Sequence, residues 1–515
     1  MRPITVRLAI ACAVLAGCGG GGAGGGPDDA IPPFGEPAPD APAGPTATVS
    51  QDGAGADAAT PADTGRDVDD APPAAREPAF EPSLNTVLLD VPVSSSQLVA
   101  QQTPIATADG AVYIANVEPR SDAPDGPGAR LSTTVRRGVP GASGGGWTWQ
   151  STVIDTRTIW DPWHAPPGIG IDRAGFVHVG YNMHNFPWQY AVSEAPGSIA
   201  SFEFRGEPVT DEELRLHVEE NRTGFGGAGT ADIPGIQITY PAFFNGADGE
   251  LYVTYRRAAR PARPFEERAM SAAIARHDAD AGTWTSIGGA RPYAPGDVLG
   301  SGGAPPAPPV VLASRPGWTA YPPSLEFDAR GRMHVFWFWR EGIAGETLTR
   351  PCAVVREPDG AWRLSDGRGV TPPLGPDACA GTGPDDAAVF RSVSDTALDP
   401  DGNLHVVLSP VGGERLIARR DGSGWRTEPS PANAGEIFFD AAGTLWAIAD
   451  GPVAYRRPAD VDAFEPVTNA PAPREQCYPR AALSEDRRTA YLHTRGCDAD
   501  AVSVYRLRLL PPGGP

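Results

Sequence analysis

One short pattern recurs seven times along this chain, and each recurrence is a tight turn followed by a strand-like alternation. The turns are Asp109-Gly110 before AVYIANV, Asp172-Arg173-Ala174-Gly175 before FVHVGY, Asp248-Gly249 before ELYVTY, Asp328-Ala329-Arg330-Gly331 before RMHVFWFW, Asp401-Gly402 before NLHVVL, Asp440-Ala441-Ala442-Gly443 before TLWAIA, and a degenerate Asp486-Arg487-Arg488 before TAYLHT. Gly and Asp permit the turn that joins two strands, and a two-residue period marks a strand with one buried face. Seven such units predict an all-β fold, a seven-bladed β-propeller, with a pair of β-sandwiches as the alternative. Successive turn glycines from Gly110 to Gly443 stand 65, 74, 82, 71 and 41 residues apart, so the early units carry long insertions. Functional loops are expected among them.

The chain before the first unit reads differently. Arg2 and Arg7 precede a short apolar stretch from Leu8 to Leu15, too short to span a bilayer. Leu15-Ala16-Gly17-Cys18 then resembles the lipobox of bacterial lipoproteins. The resemblance implies that residues 1–17 are a removable signal and that Cys18 carries lipid; Gly19 after it favours the outer membrane of a Gram-negative cell. Between Asp28 and Glu81 there are nine Asp, three Glu and two Arg but almost no large apolar residue, so residues 18–81 are expected to be a disordered acidic tether. Residues 82–515 are assigned to the propeller. The remaining cysteines, Cys352, Cys379, Cys477 and Cys497, are even in number, as an oxidising compartment favours. Three pairings exist, and proximity favours Cys352 with Cys379 and Cys477 with Cys497. A zinc site of Cys and His is the competing reading, without a CxxC spacing to support it.

Formal net charge is −21, and all 42 basic residues are Arg. A nucleic-acid partner is not expected, because phosphate binding needs a positive field. The informative chemistry lies in the second and third units. His164 precedes one strand and His184 follows the next, so a strand, turn and returning strand can bring them to one end of a sheet. His178, His334 and His405 instead recur at one register inside strands, which argues for packing. In QITYPAFFNGADGELYVTYRRAAR, Tyr240 and Arg256 end the two arms of a hairpin and should face each other. TDEELRLHVEEN, around residues 211–221, is the best helical candidate.

DPWH, IGIDRAGFVHVGYNMHNFPWQY, ITYPAFF, VTYR and YPPSLEFDARGRMHVFWFWRE resemble a BNR-repeat-like propeller group that contains the ulvan lyases of polysaccharide-lyase families twenty-four and twenty-five. The resemblance implies that His164, His184 and Tyr240 serve proton transfer while Arg256 neutralises a uronate carboxylate. Which group is base and which is acid stays open, with a histidine base and Tyr240 as acid preferred. Candidate substrate contacts are Asn182, Asn185, Trp163, Trp188, Arg257 and Arg260; the competing accounts are turn chemistry for the Asn residues, simple burial for the Trp residues and a solvated charged face for the Arg residues. The chain departs from the group after the hairpin, where RAAR and PARPFEERAM replace a Gly-, Ser- and Asn-rich stretch. The expected activity is β-elimination on an anionic, uronate-containing polysaccharide by a surface-tethered monomer. A non-catalytic glycan-binding propeller and a sialidase-like hydrolase are the alternatives. The chemistry requires no cofactor; a structural calcium or zinc stays open.

Overall fold

The computed structural model describes residues 83–92, 102–119, 131–141, 146–155, 166–184, 186–210, 233, 238–257, 269–290, 310–341, 349–384, 390–422, 424–459, 461–467, 476–497 and 501–509. Every one of the recurrent turns joins the innermost strand of an antiparallel meander to its second strand. The inner strands are Ile105–Ala108, Gly168–Ile171, Ile238–Asn245, Ser324–Phe327, Phe390–Leu398, Glu436–Phe439 and Gln476–Leu483, in the order of the units. Five units are separate four-stranded sheets, or share one only with Ser83–Pro92; the third and fourth are fused by parallel pairing of Ala269–Asp278 with Trp318–Ala320. The inner strands stand around a central channel of about 740 Å³, walled in part by Ile169, Phe243, Glu326, Asp395, Glu436 and Arg480. This is a propeller, and the sandwich alternative falls away. Ser83–Pro92 pairs with Ala501–Arg508, so the two ends of the described chain close the ring within the seventh unit.

The turn residues act as their chemistry requires. Gly110, Gly175, Gly249, Gly331, Gly402 and Gly443 all have φ between +71° and +84°, and Arg487 holds the seventh position at φ +52°. Only glycine adopts this region without steric cost. In four units an Asp carboxylate caps the turn with one oxygen and anchors the following strand with the other. Asp172 Oδ1 accepts from the backbone N–H of Ala174 and Phe176, while Oδ2 meets His178 Nε2 at 3.1 Å. Asp328 does the same with His334 at 3.3 Å, Asp399 with His405 at 3.5 Å, and Asp440 with the Trp446 indole N–H at 2.9 Å. Burial pushes all three imidazoles below their ordinary value, against the pull of their carboxylates. They are latches. In the fifth unit the capping carboxylate is Asp399, two residues before the expected Asp401.

Most of the core lies between neighbouring units, which explains the aromatic run in Met333–Glu341. Trp337 and Trp339 point to one face, against Tyr252 and Ile274 of the third unit. Phe336 and Phe338 point to the other, against Phe390, Leu404 and Val406 of the fifth. A strand buried on both faces reads as a continuous apolar run. Trp337→Ala is therefore expected to lower the stability to denaturant by about 3–5 kcal/mol, measured from the unfolding midpoint and slope; a loss under 1 kcal/mol would contradict this packing.

Both expected disulfides, Cys352–Cys379 and Cys477–Cys497, are present. Residues 1–82, with the signal, Cys18 and the tether, lie outside the described residues, as does the helical candidate at 211–221. Among the described residues no helix is long and apolar enough to cross a membrane.

Candidate active site

The end of the third unit opposite its Asp248-Gly249 turn is shaped by an irregularity. Thr239 pairs with Arg256 and Ala242 with Thr254, so Tyr240 and Pro241 together oppose Tyr255 alone. This is a β-bulge, a device that re-aims a side chain beside functional sites. Pro241, lacking an N–H, sits where no ladder bond is needed. Tyr240 adopts φ +58°, a costly conformation for a bulky residue. The second unit is pressed against the bulge by its glycines. A Cβ on Gly168 would lie 2.6 Å from the Pro241 carbonyl oxygen, and one on Gly180, its cross-strand partner, 3.1 Å from the Pro241 ring. The GIGI and VHVGY segments thus provide a bed for Pro241, and side chains there would push the two units apart.

The bulge places the Tyr240 ring beneath the Arg256 guanidinium, whose carbon lies 4.8 Å from the ring centre. On the second unit, Phe186 exchanges backbone hydrogen bonds with Ile238 at 2.8 and 3.3 Å, docking the segment that carries His184 onto the same inner strand. The His184 and Tyr240 rings are nearly parallel, 21° apart in plane and 6.2 Å between centres. A cation, a phenol and an imidazole therefore follow one another in contact sequence. Tyr240 and Arg256 are fully buried and His184 is half-buried.

The ladder continues into the fourth unit, through residues that sequence reasoning passed over or only touched. Arg256 also lies 5.9 Å from the centre of the Tyr321 ring, and Arg340 approaches the same ring at 5.8 Å. Tyr321 is followed by Pro322 just before an inner strand, as Tyr240 is by Pro241 within one. This Tyr-Pro signal was available in the sequence. Desolvated cation–π contacts of this kind contribute about 2 kcal/mol each, and they hold permanently charged, planar guanidinium forks in place.

The remaining sequence candidates divide. His164, Trp163, Asn185 and Arg260 lie outside the described residues. Asn182 is buried at φ +54°, a left-handed conformation Asn tolerates; its Nδ2 has no hydrogen-bond partner among the described residues. A buried donor two residues from His184 suits a polar ligand. Trp188 requires correction as a sugar platform: it is 1 % exposed, stacked on Tyr190 at 5.2 Å and tilted against Tyr255. Arg257 also departs from its expected role. Successive strand residues point to opposite faces, so buried Arg257 shares the side of Tyr255 and does not join Arg256.

One further cluster could hold a metal. Asp172 Oδ2 lies 3.1 Å from His178 Nε2 and 3.5 Å from His277 Nδ1, and all three residues are buried. Burial, reinforced by His178, pulls His277 down to about 4, which keeps its ring neutral, with one nitrogen able to bind a metal. Two imidazoles and a carboxylate suit zinc, whereas calcium takes six to eight oxygens. The cluster lies at the turn end of its sheet, away from Tyr240. The sequence concealed it because His277 belongs to the third unit.

The family model of BNR repeat-containing proteins matches residues 128–432. The chain belongs to the BNR repeat-containing family. No curated protein sequence matches this BNR-repeat chain. Among solved structures, it is similar to the polysaccharide lyase Uly1, at 14 % identity and a TM-score of 0.52 over 81 % of this chain and 92 % of that one. It is also similar to a PL25 ulvan lyase bound to -[GlcA(1-4)Rha3S]-, at 12 % identity and a TM-score of 0.51 over 82 % and 95 %. At these identities the likeness establishes the fold that the BNR-repeat protein shares with polysaccharide lyases.

Proposed function

We propose that this BNR-repeat protein is a polysaccharide lyase that cleaves uronate-containing, ulvan-like glycans by β-elimination. The observation that carries the reading is the His184–Tyr240–Arg256 arrangement, held together by a bulge with a left-handed tyrosine. The solved lyase structures of the same fold support the substrate class.

Elimination removes the C5 proton of a uronate, which is weakly acidic while the adjoining carboxylate is a free anion. Arg256 would neutralise that carboxylate and stabilise the enolate-like dianion that forms. His184 takes the C5 proton, the C4–C5 double bond forms, and the C4–O bond breaks. Tyr240 protonates the departing oxygen, which its phenol does more readily with a guanidinium over the ring. The proton on His184 then returns to Tyr240 through solvent. His164 is proposed as a further proton-transfer group. Incubating the purified protein with a panel of uronic-acid polysaccharides tests the reading. The ultraviolet absorbance of an unsaturated uronate should grow; binding without absorbance would make the protein a glycan-binding propeller, and new reducing ends without absorbance a hydrolase.

Two accompanying proposals have their own checks. Asp172, His178 and His277 hold a structural zinc: metal analysis should find about one zinc per chain, and chelation should lower the melting temperature while initial lyase rates on the folded protein stay unchanged. A metal-free preparation of equal melting temperature would exclude it. Cys18 anchors an exported monomer to the outer membrane, so Cys18→Ala should end labelling by a fatty-acid analogue and move the protein to the soluble fraction; unchanged membrane association would refute the anchor.

A further inference from the structure

The bulge of the candidate site occurs a second time. In the seventh unit Cys477 pairs with Arg495 and Arg480 with His493, so Tyr478 and Pro479 together oppose Thr494 alone. The correspondence is residue by residue: Tyr478 stands for Tyr240, Pro479 for Pro241 and Arg495 for Arg256. Tyr478 has φ +54°, against +58° for Tyr240. The Arg495 guanidinium lies over the Tyr478 ring at 5.6 Å, against 4.8 Å in the third unit. A non-glycine residue in this conformation persists only where its surroundings hold it there, and such residues gather at functional sites. Two copies of one strained unit argue for one kind of task.

The second copy is braced and supplied with another cation. The Cys477–Cys497 disulfide ties the two strand ends together, one cysteine adjoining Tyr478 and the other two residues beyond Arg495. Arg415 approaches from the fifth unit, held by Asn433, whose Oδ1 accepts from its backbone N–H at 2.8 Å and whose carbonyl accepts from its guanidinium at 2.7 Å. It lies within electrostatic range of Asp450, Arg480 and Tyr478. Asp450 accepts the Tyr478 backbone N–H at 2.9 Å, while Glu436 is engaged by Arg480. Tyr478 and Arg415 are half-buried. Burial pushes the Tyr478 phenol up despite Arg495, which keeps it a hydrogen-bond donor.

We infer that Tyr478, Arg495 and Arg415 form a second anion-binding site that takes a carboxylate or sulfate ester of a polyanionic glycan without performing chemistry on it. Both tyrosines lie near the start of an inner strand and both arginines near the end of a second strand, so both sites open on the face opposite the recurrent turns. The seventh unit adjoins the first across its inner strand, and the second and third units follow. A glycan chain across the channel mouth can therefore be gripped at the seventh unit while it is cleaved at the third. The identity of the ligand rests on the function proposed above; the site itself rests on the repeated geometry.

The test uses full-length protein carrying Tyr478→Phe, Arg495→Lys or Arg415→Gln, each checked for an unchanged melting temperature. Arg415→Gln serves if the buried Arg495 variant fails to fold. On a long sulfated rhamnose–glucuronate polymer, KM should rise about tenfold, a change equivalent to 1.4 kcal/mol, with kcat unchanged. Repeating the measurement on chemically desulfated polymer separates the sources: an effect that disappears assigns sulfate, and one that persists assigns the carboxylate. A KM equal to that of the parent protein in all folded variants overturns the site. If the parent protein forms no unsaturated uronate at all, the lyase reading fails alone. Calorimetric titration of the same variants with the same polymer then decides this site, about tenfold weaker binding supporting it and equal binding overturning it.

Discussion

Arg256→Lys is expected to lower kcat/KM on a uronate polymer by about a hundred- to a thousandfold, most of it in kcat. Lysine keeps the positive charge but loses the planar fork that meets both carboxylate oxygens. The loss should fall on kcat because the second negative charge develops only as the C5 proton leaves, and an interaction that strengthens there lowers the barrier. The guanidinium also lies against two tyrosine rings, 4.8 Å from the centre of Tyr240 and 5.9 Å from that of Tyr321. An ammonium on a flexible stem would not hold that position. Steady-state kinetics on folded variant, checked by circular dichroism, decides the matter. If KM rises and kcat does not move, Arg256 grips the ground state only and the proposed neutralisation is wrong.

Tyr240→Phe should cost about 10²–10⁴ in kcat, the usual contribution of a positioned proton donor. The substitution removes one hydroxyl and keeps the ring, so the contacts with Arg256 and His184 survive and the melting temperature should not change. His184→Ala should show a loss of similar size. Because the two groups act on one proton circuit, the double variant should be scarcely slower than the worse single one. Full turnover by Tyr240→Phe would remove the tyrosine from the chemistry and leave the acid to His164 or to solvent.

The architecture was legible because its punctuation is chemical. An Asp that caps a turn and a Gly that accepts positive φ can be recognised without knowing what they join, and the turns at Gly110 through Gly443 all join inner to second strands. Counting between Tyr240 and Arg256 brought the two to the same end of a hairpin. It did not reveal that Thr239 is the true partner of Arg256 and that Tyr240 is the extra residue of a bulge. Register is set by hydrogen bonding across strands, and a Tyr-Pro pair is the only local sign of the slip. Parity explains Arg257: one residue beyond Arg256, it necessarily points to the other face. The Asp172, His178 and His277 cluster was hidden for another reason. His277 meets Asp172 and His178 only after two sheets pack, and no spacing along the chain encodes that contact. Trp188 shows the limit of residue type as evidence, since a tryptophan near a site fills a core as readily as it stacks on a sugar.

The strand Ser83–Pro92 completes the sheet formed by Gln476–Leu483, Thr489–Gly496 and Ala501–Arg508. That pairing couples the order of synthesis to the order of folding. The first of the described strands to leave the ribosome waits for the last, and the entropy of closing so long a loop is lost before any contact across the seam repays it. A ring sealed in this way cannot become complete while its chain is still being made or threaded through a pore. The bare edge of Ala501–Arg508 would meanwhile be open to pairing with another chain, so losing Ser83–Pro92 should produce association between molecules rather than a smaller, soluble propeller.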